Sequence, residues 1–152
     1  MKWIFTLLFL LSTTQIHAEL LLVVEVARHG ARAPYLDYLE ESMGITIGDD
    51  WNVKGADLTP LGERQSYLLG VKRRKVYIEQ MGFLPEQYDP ETLYVESSDK
   101  NRTIMSASAQ LIGMYPLGTG RQLDNQEQID IAVPPFEINT DGLDVTFKIL
   151  IK

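Results

Sequence analysis

The apolar positions change period along the chain. Trp3 to Leu11, WIFTLLFLL, is apolar apart from Thr6. Leu20 to Ala27, LLLVVEVA, is a shorter run rich in valine. Its length and β-branching predict a strand buried on both faces, as in a parallel sheet. Glu25 interrupts that run and requires a partner for its charge. Leu61, Leu68, Val71 and Ile78 then recur at helical spacing. Thr59 and Pro60 supply an N-cap and a first helical residue, and Gly82 a C-cap. Thr92 to Ser97, TLYVES, predicts a second strand. Ser98 or Asp99 is placed to cap a second helix running to about Tyr115. Its apolar face holds Ile104, Ala107, Leu111 and Tyr115, and Pro116 with the following glycines stops it.

The remaining segments are patterned more weakly. Pro34 to Asp57 predicts a long loop with room for one helical turn, a length often tied to function. Gln128 to Ile138 is a candidate strand interrupted by Pro134 and Pro135. Val145 to Ile151, VTFKILI, alternates poorly and ends in an apolar cluster. The order strand, helix, strand, helix favours an α/β fold, with a mixed, largely parallel sheet flanked by helices.

Composition narrows the function. The 152 residues carry a net charge of -7, which argues against general nucleic-acid binding. The basic run Lys72 to Lys75 is weighed as a solvated helix face rather than a nucleic-acid signal. The chain has no cysteine, so disulfides, thiolate zinc sites and cysteine nucleophiles are excluded. Lys2, the apolar run and a polar segment ending in Ala18 have the layout of a secretory signal peptide cleaved after Ala18. The alternative is an N-terminal buried helix. The run is shorter than the roughly 20 residues that span a bilayer, so no stable membrane span is expected in the mature chain. The expected division is a signal peptide over 1–18 and one domain over 19–152, located outside the cell or in the lysosomal lumen.

Cleavage would also remove His17, leaving His29 as the one histidine of the mature chain. It sits in a dense cluster, Arg28-His29-Gly30-Ala31-Arg32, directly after the first predicted strand. Ligands of open α/β sheets bind beyond the carboxyl ends of strands. Two permanently charged guanidiniums suit an anion with several oxygens, phosphate above all. Gly30 would allow close backbone approach to it. Arg102, in the first turn of the second helix, opposes the helix dipole unless it shares that anion; a surface ion pair with Asp99 or Glu96 is the plainer reading. A neutral imidazole nitrogen can attack phosphorus. A metal is not expected, since there is no second histidine and the arginines would repel a cation. No cofactor is implied.

Arg28-His29-Gly30-Ala31-Arg32-Ala33-Pro34 resembles the RHGxRxP signature of the histidine acid phosphatases, the branch that holds lysosomal and prostatic acid phosphatases and phytases. Leu58 to Gln65 is similar to the family's LTxxGxxQ helix start. Ser97 to Ala107 is similar to its S-[ST]-D-x-x-R-T-x-x-S-A segment. The resemblance implies a mixed-sheet α/β core with a smaller helical cap and hydrolysis of phosphomonoesters without a metal. It makes His29 the nucleophile and gives Arg28, Arg32 and Arg102 the phosphoryl group to hold. Family members are more than twice this length and carry a later His-Asp pair that this chain lacks. The expectation is therefore the N-terminal part of a family domain, with an incomplete fold. The alternative function is a truncated or degenerate member that binds phosphate or other anions without efficient catalysis. The sequence sets no oligomeric state.

Overall fold

The computed structural model describes residues 19–35, 43–44, 51–120, 136–140 and 146–151. The expected signal peptide, most of the Pro34 to Asp57 loop and most of the Gln128 to Ile138 candidate strand lie outside them. Strand β1 (Val23–Arg28) is followed by helix α1 (Pro60–Arg73), which continues as a π-helix (Arg74–Gln80). Strand β2 (Leu93–Ser97), helix α2 (Asn101–Met114) and strand β3 (Thr146–Ile151) complete the order.

The described strands form one sheet in the order β1-β3-β2. The central strand β3 is antiparallel to both neighbours, pairing Val23 and Leu93 with Ile151 at one end. This corrects the expectation of a largely parallel sheet. β1 and β2 do run in the same direction, as the strand–helix–strand order predicts. The error was adjacency: the last strand inserts between them and reverses both ladders. Its sequence has a period of two, burying Phe147, Ile149 and Ile151. Leu150, on the other face, masks that alternation.

Leu93 and Val95 bring the same sheet face into one core with Ala107, Leu111, Met114 and Tyr115 of α2. The opposite face is not covered among the described residues: Val24 is 53% and Val26 65% exposed. β1 is thus buried on one face, and the two-faced burial read from its valines is corrected. Glu25 lies on the inner face. Its carboxylate accepts from Arg73 Nε at 2.8 Å and from Gln110 Nε2 at 3.1 Å, tying β1 to both helices. Arg74 donates to the Met114 carbonyl at 2.9 Å and pairs with Glu79. Half of the basic run therefore makes internal contacts, and Lys72 and Lys75 alone fit the solvated reading.

Helix α1 starts as expected. Thr59 Oγ1 accepts from the Gly62 amide at 3.2 Å, and Pro60 opens the helix. Of the expected apolar face, Ile78 in the π-helical continuation is buried, but α1 itself buries a different face. Gly62, Ser66 and Gly70 are buried, whereas Leu61, Leu68 and Val71 are exposed. The reason is backbone proximity. A Cβ on Gly70 would collide with the Gln110 carbonyl, and one on Gly113 with that of Tyr67. Small residues let α1 and α2 touch main chain to main chain, which a leucine face would prevent. The π-helical end places Tyr77 so that its carbonyl accepts from both Phe83 and Leu84. Gly82 takes φ +58, the left-handed conformation expected of a helix-ending glycine. Helix α2 has Lys100 at its cap position, without a side-chain cap. Ser98 instead bonds Thr103 Oγ1 at 2.6 Å, and Thr103 donates to the Lys100 carbonyl at 2.7 Å.

Candidate active site

Because β1 and β2 run the same way, Arg28 and Ser97 end at the same rim of the sheet. The turn after β1 is fixed by α1 and α2. The Gly30 amide donates to Ser106 Oγ on α2 at 3.0 Å, and the Ala31 amide to Gln65 Oε1 on α1 at 3.0 Å. The Ala31 carbonyl accepts from the Thr59 amide at 3.0 Å and its hydroxyl at 2.8 Å. The Ala33 amide donates to the Asp57 carbonyl at 2.9 Å. Ser106 also donates to the Arg102 carbonyl at 2.7 Å, so one buried hydroxyl links the turn to the helix residue bearing Arg102. The glycine at 30 serves this packing: a Cβ there would strike the Gly62 backbone. Gly30 also lines the hollow beside His29, so the packing on α1 adds a second requirement at this position.

The sequence-predicted residues meet at this turn. Arg28, His29 and Arg32 line an open hollow of about 460 Å³ together with Gln65. Arg102 is buried beside it at 6% exposure. The plainer alternative for Arg102 does not hold, since Asp99 pairs with Lys100 and Glu96 with Lys148. Arg102 instead donates from Nη2 to the Tyr35 hydroxyl at 3.0 Å. Arg32 lies over the same ring, with Cζ 4.5 Å from its centroid. Tyr35, Gln65 and Ser106 were given no role from sequence. Gln65 and Ser106 stood in recognised motifs; Tyr35 could have been marked as the aromatic that directly follows the signature.

His29 is half-buried, and its Nδ1 lies 2.8 Å from the Gly30 carbonyl. A carbonyl only accepts, so Nδ1 carries the proton and Nε2 keeps its lone pair. Burial is the main cause that lowers the imidazole below its ordinary range. The Gly30 hydrogen bond opposes this, and the charges of Arg102, Arg28 and Arg32 reinforce it. His29 Nε2 and Arg102 Nε are both buried without a hydrogen-bond partner among the described residues. One is a nucleophilic lone pair and the other a cationic donor. Guanidiniums offer donors only, so the arrangement is suited to an anion.

Residues 19–136 match the family model of the histidine phosphatase superfamily (branch 2). The chain belongs to this superfamily. It is 37% identical over 122 residues to a lysosomal acid phosphatase of Xenopus laevis, covering 80% of this chain and 26% of that protein. It is 36% identical over 118 residues to the prostatic acid phosphatase of Homo sapiens, covering 75% of this chain and 28% of that one. The phytase of Klebsiella sp ASR1 superposes with a TM-score of 0.54 at 26% identity, over 69% of this chain and 28% of that structure. The chain spans about a quarter of the length of these curated relatives.

Proposed function

We propose that this chain carries the phosphoryl-transfer site of an acid phosphatase acting on phosphomonoesters through a phosphohistidine on His29. The observation that supports it is a His29 Nε2 lone pair without a hydrogen-bond partner among the described residues, within the field of Arg28, Arg32 and Arg102, whose Nε also lacks one. The Nε2 lone pair forms the N–P bond as the ester P–O bond breaks. The leaving oxygen takes its proton from water. A second water then attacks the phosphohistidine, releasing inorganic phosphate and restoring the neutral ring. Arg28, Arg32 and Arg102 hold the phosphoryl oxygens throughout. At about 4 Å and an effective dielectric near 20, each such contact is of order 4 kcal/mol before desolvation costs. The names of the relatives favour action in a lysosome or outside the cell after loss of residues 1–18.

The test is to incubate the full chain with 32P-labelled nitrophenyl phosphate and quench in alkali, where phosphohistidine survives. The chain is expected to carry label and His29→Ala to carry none. Nitrophenyl phosphate should turn over faster than alkyl phosphates, because its leaving group needs little protonation. Phosphate binding without any label would reduce the protein to an anion binder. Equal labelling of His29→Ala would remove the assignment of the nucleophile.

A further inference from the structure

Arg32 and Arg102 come from different elements, the turn after β1 and the first turn of α2, and carry like charge. Something must hold them together. Among the described residues no acidic side chain does: Asp99 and Glu96 bond to Lys100 and Lys148. The shared neighbour is Tyr35. Its ring centroid is 4.5 Å from Arg32 Cζ and 5.4 Å from Arg102 Cζ. Its hydroxyl oxygen accepts from Arg102 Nη2 at 3.0 Å. Arg32 also donates from Nη1 to the Ala33 carbonyl at 2.8 Å.

We propose that Tyr35 is a positioning residue of this site, gathering the Arg32 and Arg102 guanidiniums on one aromatic ring so that both face a common anion. The chemistry explains the choice of residue. A carboxylate would orient the two guanidiniums but cancel their charge and compete with phosphate. A π face and a phenol oxygen orient them while leaving the charge intact. The ring is itself 54% exposed, so it covers the arginines from the solvent side and contributes little to the core. This rests on the phosphoryl-site reading above.

The experiment measures inorganic phosphate binding to the full chain by calorimetry, with Tyr35→Phe and Tyr35→Leu beside it. A cation–π contact corresponds to roughly twofold to fivefold in affinity at an exposed site and to more at a buried cation such as Arg102, so losing two predicts at least about tenfold weaker binding for Tyr35→Leu. Tyr35→Phe keeps the ring and should stay within about threefold of the unmodified chain. Far-UV circular dichroism and the melting temperature should be unchanged in both. Tyr35→Leu binding as tightly as the unmodified chain overturns the inference alone. So does a Tyr35→Phe as weak as Tyr35→Leu, because the ring would then have no part. No phosphate binding by the unmodified chain overturns the phosphoryl-site reading, and this inference with it.

Discussion

Replacing Glu25 by alanine tests what joins the sheet to the two helices. Its side chain is 10% exposed and that of Arg73 27%. The carboxylate accepts from Arg73 at 2.8 Å and from Gln110 at 3.1 Å. Arg73 is held above its ordinary range, chiefly by the Glu25 hydrogen bond. Removing one member of a fully buried pair costs roughly 3–5 kcal/mol, because the other charge stays buried alone. Arg73 retains some contact with water, so about 3 kcal/mol is expected for Glu25→Ala. Gln110, which is fully buried, also loses its partner. Arg73→Met should cost about 2 kcal/mol. The double variant should recover roughly 2 kcal/mol of their sum, where an exposed pair would recover less than about 1. At about 3 °C per kcal/mol for a domain of this size, Glu25→Ala should melt about 9 °C lower. Urea unfolding followed by far-UV circular dichroism measures all three variants. A coupling below about 0.5 kcal/mol would refute the account and reduce the pair to a surface contact.

Gly62→Ala gains about 1 kcal/mol of helix propensity, but its methyl would run into the Ala31 carbonyl and Leu58. A net loss of roughly 1–3 kcal/mol by urea unfolding, with weaker phosphate binding, is expected; a more stable variant would mean that α1 does not abut the turn. The lowered pKa of His29 has a definite sign in stability. Below its unfolded value of about 6.5 the unfolded chain binds the extra proton first. His29 therefore costs nothing above that pH and destabilises progressively as pH falls through its folded value. His29→Gln should lose less stability between neutral and acidic pH than the unmodified chain, and equal losses in urea titrations at several pH values would contradict this.

Elements with strong local signals were legible in the sequence. Thr59-Pro60 marks its helix start because the cap hydroxyl and the fixed proline φ act within one turn. Val23–Arg28 and Leu93–Ser97 form strands close to where their β-branched runs predicted. The pairing was not legible. β3 enters from far along the chain, and nothing local in VTFKILI says between which strands it inserts. The buried face of α1 was misread for a related reason. Hydrophobic periodicity marks where large side chains repeat, but this interface is selected for smallness, and Gly62, Ser66 and Gly70 carry no apolar signal.

The site was more legible than the fold around it, and the cause is physical. Arg28, His29 and Arg32 lie within five residues, so any turn that ends β1 keeps them near one another. Arg102 needed the fold: its place depends on β1 and β2 sharing a direction, which their connecting helix predicts even when their adjacency is wrong. The supporting residues depend on contacts that spacing does not encode. Ser106 reaches Gly30 across 76 positions and Gln65 reaches Ala31 across 34. Both act on backbone amides, which every non-proline residue possesses, so nothing at Gly30 or Ala31 announces them. The charged groups proposed to hold the anion are conspicuous, Arg28 and Arg32 locally so, while the neutral groups that fix the turn are distant and chemically plain. The same division covers Tyr35, a neutral group in contact with both Arg32 and Arg102 and proposed to aim them without cancelling their charge.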